Sequence, residues 1–110
     1  MAKLRAVVFQ DGERYIVQCV ERDVAVQGET FDAMLVGLAR TLSGYVIIGL
    51  AALDRDPFEC LPPAPDEYEA LFDGAQHSLN TLHVPLPEDW GYPPVDVELR
   101  LFSMEGMAVC

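Results

Sequence analysis

The stretch VVFQDGERYIVQCVERDVAVQGETFDAML, residues 7–35, decides how this chain folds. It contains two runs of β-branched and aromatic residues separated by Asp11-Gly12, a dipeptide that tolerates the positive φ values of a tight hairpin turn. With Gln10 set opposite Glu13, Leu4, Ala6 and Val8 are expected to face Cys19, Val17 and Tyr15, so one side of the hairpin is wholly apolar. The other side receives Arg5, Val7, Phe9, Arg14, Ile16 and Gln18, a mixture suited to partial exposure or to contact with another protein. Cys19 therefore reads as a core residue and not as a nucleophile.

Beyond the hairpin, Val24, Ala25 and Val26 predict a short third strand that ends at Gly28. Thr30 is placed to cap a helix, with Asp32 adding negative charge near the positive end of its dipole. The helix is expected over residues 31–53. At about 100° per residue, Phe31, Leu35, Leu38, Leu42, Tyr45, Gly49 and Leu53 share one line, while Asp32, Arg40 and Ser43 lie off it. Ile47, Ile48 and Leu50 are off that line too, so from Tyr45 onward the helix is apolar nearly all round. It needs a second cover, either from the chain's own C-terminal half or from the same helix of another subunit. Gly44, Ile47, Ile48 and Leu50 are the candidate oligomer-interface residues on the second reading, with Gly44 permitting close approach.

Residues 33–53 approach the length of a membrane span. Arg40 would sit near the bilayer centre at a cost of roughly 2.5–3.5 kcal/mol, and Asp54 and Asp56 stand where anchoring cations are wanted. A buried helix of a soluble protein is the expectation. Pro57, Pro62, Pro63 and Pro65 then make a stiff connector. DEYEALFDG predicts a short helix with Tyr68, Leu71 and Phe72 as apolar contacts and Gly74 as its stop. Residues 79–84 are a weak strand, and VDVELRLF alternates as a half-exposed strand. The fold class expected is α+β in a single domain, residues 1–110: a mainly antiparallel sheet of order β-β-β-α-(α)-β, with the long helix on one face.

In 110 residues there are 18 acidic against 7 basic side chains, a formal charge of −11, yet 51% of residues are hydrophobic. That composition describes a folded acidic domain and not a disordered tail. Residues 1–50 carry 5 cations and 6 anions, whereas residues 51–110 carry 2 cations and 12 anions, so nearly all the excess lies in the second half. Nucleic-acid affinity comes mainly from Lys and Arg displacing counterions, so direct binding of DNA or RNA is not expected. Cys19, Cys60 and Cys110 show neither disulfide nor zinc spacing, and MAKLRAVVF lacks the pattern of a secretory signal. Reduced thiols and a cytoplasmic setting follow as expectations.

No catalytic constellation stands out. His77 and His83 have no nucleophile nearby in sequence, Ser43 and Ser78 sit in no elbow motif, and lone Gly28 falls short of a phosphate loop. Asp66, Glu67, Glu69 and Asp73 form an acidic cluster that reads as a solvated helix face before it reads as a metal or acid–base site. A metal-assisted hydrolase is the weakest of the function classes, and neither cofactor nor metal is expected. Trp90, in a proline-rich loop, reads as a packing plug before a recognition aromatic.

The stretch quoted above, with its corner Asp23-Val24-Ala25-Val26-Gln27-Gly28-Glu29-Thr30, resembles the HicB-like antitoxin family over residues 3–43. The resemblance implies a partial ribonuclease-H-like sheet without catalytic carboxylates, used as a binding platform. It further implies a small basic ribonuclease toxin of the HicA type as partner, which an acidic chain suits electrostatically. Two-domain members add a C-terminal DNA-binding unit; residues 95–110 read as a strand and a tail, so operator binding is not expected here. The partner-contact candidates are Asp54, Asp56, Glu59, Asp66, Glu67, Glu69, Asp73 and Trp90. The alternative is an orphan scaffold of the same fold that works as a homo-oligomer.

Overall fold

The computed structural model of the protein describes residues 2–53, 58, 61–86 and 94–102. The chain runs β1 (Ala2–Asp11), β2 (Arg14–Cys19), β3 (Ala25–Gly28), α1 (Phe31–Ile48) with a π-helical extension Gly49–Leu53, α2 (Asp66–Asp73), β4 (His77–Ser78), β5 (Leu82–Val84) and β6 (Val95–Leu101). The architecture is α+β: among the described residues six strands form one mixed sheet of order β3-β2-β1-β6-β4, with β5 also on β6. All pairings are antiparallel except the central one, where β1 and β6 run parallel, from Ala2 against Val95 to Val8 against Leu101.

The hairpin forms where the Asp-Gly signal places it, two positions out of the expected register. Asp11 faces Arg14 and Ala6 faces Cys19, so the turn pair is Gly12-Glu13 and not Asp11-Gly12. Gly12 has a φ of 65°, which the first central residue of a primed turn requires. Because side chains alternate with period two, a slip of two keeps every residue on its expected face. The third strand begins one residue later than expected, at Ala25, the weak strand expected at 79–84 is confined to β5, and β4 at His77–Ser78 lies ahead of it.

Thr30 caps α1 as expected, its hydroxyl accepting a hydrogen bond from the Ala33 amide at 3.0 Å. The buried line of α1 is Met34, Leu38, Leu42 and Val46. It follows an i, i+4 ridge that slants around the helix, the row that packs onto a facing layer. Tyr45, assigned to the core by the single-line reading, is left 37% exposed and Val46 takes its place. Phe31 keeps its assignment at the edge, meeting Tyr15 ring edge to face at 5.7 Å. Together these side chains cover Leu4, Ala6, Val8, Val17, Cys19, Val95, Val97 and Leu99.

The opposite face of the sheet departs from the one-sided expectation. A second apolar cluster forms there from Val7, Val20 and Phe72, with Phe9, Tyr68, Leu71 and Phe102 packed against it. α2 therefore covers part of the face that the sequence leaves mixed, and the sheet lies between two helices. Residues 61–64 fasten the approach to α2: the Asp23 amide donates to Pro62 O at 2.7 Å, and the Ala64 amide donates to Val20 O at 3.1 Å. By length and composition α1 and its extension, Phe31–Ala51, are long and apolar enough to cross a membrane; here one side of that helix packs on the sheet.

Candidate interaction surfaces

α2 starts after Pro65, whose carbonyl accepts from the Tyr68 amide, and stops at Gly74. Phe72 points down into the sheet, 2% exposed, with the Arg100 guanidinium 4.2 Å from its ring centroid and that of Arg5 at 5.5 Å. Both cations are attracted by the quadrupole of the ring, which ties α2 to β1 and β6. Arg100 also donates to Phe72 O at 3.3 Å and pairs with Glu98 at 3.3 Å.

Driving Phe72 inward turns the acidic side chains outward. Asp66, Glu67, Glu69 and Asp73 are all exposed, as the amphipathic reading requires. Glu69 is engaged: it accepts from Arg5 Nη2 at 3.1 Å, while Arg5 Nε pairs with Glu21, whose other oxygen accepts the Arg5 amide at 2.7 Å. The hydrogen bond that Arg5 donates to Glu21 pushes its guanidinium pKa up, so the cation that links β1, the β2–β3 corner and α2 keeps its charge. Beside it lies a pocket of about 330 Å³ where Arg5, Glu21, Arg22, Asp66 and Glu69 meet apolar Val20 and Ala64. Arg22 is tied to the chain by donating to Leu61 O at 3.0 Å. The division into a neutral first half and an acidic second half thus does not survive folding as two regions, because β1 supplies the cation that neutralises part of α2.

Four of the partner-contact candidates, Asp54, Asp56, Glu59 and Trp90, lie outside the described residues. The structure brings Asp66, Glu67, Glu69 and Asp73 together on one helix face, and adds Glu21 and Arg22, which the sequence reading did not single out. Sequence spacing carried no signal for them, since only the hairpin corner folding under residues 61–64 places them there. Among the described residues no group of three or more His, Cys, Asp or Glu is disposed to hold a metal ion. Ser43 donates to Pro85 O at 3.1 Å, and His83 Nδ1 lies 2.7 Å from Asp96 Oδ1 across the β5–β6 pair. Cys19 is wholly buried and its thiol is pushed up to about 12, mainly by burial and further by Glu21, so it is held as the unreactive thiol.

The second surface is the outer side of α1. Ile47 and Ile48 are 38% and 60% exposed, and Val36, which the sequence reading left unassigned, is 50% exposed. Gly44 faces open space. Leu50, in the π-helical extension, is half-buried and packs against the chain's own core. No family model, no curated protein and no solved structure matches this chain.

Proposed function

We propose that this chain is a non-enzymatic interaction module of HicB-like, partial ribonuclease-H-like fold that works in the cytoplasm and neutralises a small basic ribonuclease of the HicA type. The observation that carries the reading is the face of α2, where Asp66, Glu67 and Asp73 stand exposed on a helix anchored from below by Phe72. A rigid acidic face steers a basic protein into place and covers the cations with which that protein holds RNA. The element order supports the fold reading, since an antiparallel β-β-β unit leads through the Thr30-capped helix to a late strand, as the resemblance implies.

Coexpression with a small basic ribonuclease of the HicA type tests this directly. The chain is expected to restore growth and to block RNA cleavage by the purified ribonuclease, with an affinity that falls as salt rises. Reversing Glu67 and Asp73 to Lys should weaken binding by about tenfold or more while the fold persists, because both side chains are exposed. Failure of the wild-type chain to bind, or undiminished binding by the reversed variant, overturns the reading.

A further inference from the structure

A helix lying on a sheet should be polar on its outer side, and α1 is not. Among the described residues the large apolar side chains left exposed are Val36, Tyr45, Ile47 and Ile48, all of them on α1. Only 28% of an apolar 18-residue window within Phe31–Ala51 is buried. Counting 100° per residue, Val36, Arg40, Gly44 and Ile47 fall within about 40° of the line opposite Leu38 and Leu42, and Ile48 continues the i, i+4 row toward the flank of the helix. Arg40 is the one charged residue between Asp32 and Asp54.

Gly44 adds a separate clue. A Cβ built there meets nothing within 4 Å, whereas one built at Gly37 comes within 2.9 Å of Val26 Cγ1. Gly37 is thus required by packing inside the subunit and Gly44 is not, although a glycine in mid-helix costs about 1 kcal/mol relative to alanine. Nothing within a single described subunit offsets that cost. A second helix passing close to Gly44 does.

We infer that the outer side of α1 is a contact between two copies of this chain, their α1 helices antiparallel about a twofold axis. With the axis level with residue 42, Arg40 of each copy lies over Gly44 of the other, and Val36 lies against Ile48, so bulky side chains meet a gap or an apolar neighbour. Charge selects the same face. Each copy carries −11, so approach by most other surfaces sets carboxylate against carboxylate. From Ala33 to Ile48 the helix has no carboxylate, so this face can meet its copy without setting carboxylate against carboxylate. α2 lies on the opposite face of the sheet, so this pairing stands or falls independently of the toxin reading.

Sedimentation equilibrium of the full chain is expected to show a dimer. Gly44→Leu and Ile48→Lys should each raise the dissociation constant by about tenfold or more. Gly44→Leu should leave the melting temperature of the dissociated subunit unchanged or higher, because the side chain has room and the helix gains propensity. Combining Val36→Cys with Ile48→Cys, in a background with Cys60 and Cys110 replaced by Ser, should give a disulfide-linked dimer on oxidation, and Val36→Cys alone should not. Three results would overturn the inference: a monomer at every concentration, a dimer indifferent to both substitutions, or a monomer that co-sediments with phosphatidylcholine vesicles, which would assign the face to a lipid surface.

Discussion

Gly28 and Cys19 show how much a single residue's meaning depends on its neighbours. In the sequence Gly28 is a strand terminator. In the fold it is the point where the chain passes so close to the start of α1 that a Cβ would lie 2.5 Å from the Met34 amide nitrogen. The clash is with backbone, which cannot swing aside, so Gly28→Ala should cost about 1–3 kcal/mol; a urea midpoint equal to that of the wild type would refute this account. Cys19 reads as core from alternation alone, and its complete burial agrees with that. Its thiol ionises near 8.5 in an unfolded chain and at about 12 in the fold. Between those values the native state keeps a proton that the unfolded state has released, so this contribution to stability is intact below the unfolded value and declines as pH rises, by about 1.4 kcal/mol per pH unit. Denaturation at stepwise alkaline pH should show this slope, and Cys19→Ala should remove it. In native protein at neutral pH a thiol reagent should not label Cys19.

At the scale of elements, what could be read from the sequence was what local chemistry determines. The hairpin, the Thr30 cap, the short helix ending at Gly74 and the alternating last strand all follow from turn residues, capping and periodicity. Thr30→Ala should destabilise by about 1 kcal/mol, measured by thermal or chemical unfolding, since it orphans the Ala33 amide. What periodicity could not supply was the course of the buried line along α1, because the helix meets a sheet across a slanting ridge and Tyr45 and Val46 exchange places. Nor did it show that α2 folds back over the sheet. That docking rests on long-range contacts of Phe72 with Arg5 and Arg100. Phe72→Ala should cost about 3–5 kcal/mol and loosen α2 first, seen as faster amide exchange at residues 66–73 than in α1.

For the whole molecule, the acidity visible in composition becomes a distribution over two faces. α1 covers one side of the sheet and carries an apolar outer stripe; α2 covers part of the other and carries exposed carboxylates. The candidate site was legible as a set of charges and not as a surface. Asp66, Glu67, Glu69 and Asp73 were identifiable from helical spacing, while their link to Arg5 and Glu21 exists only once distant segments meet.

The parallel pairing of β1 with β6 bears on how the protein comes into being. Ala2 sits beside Val95, so one flank of the N-terminal hairpin waits, backbone groups unpaired, until nearly the last strand has left the ribosome. Early helix formation cannot close that gap, since the loop to be closed spans almost the whole chain. A nascent or truncated chain ending before Val95 should therefore expose a β edge rich in Val and Leu and associate through it. β6 covers that edge, and the order of synthesis supplies it only long after the hairpin has been made.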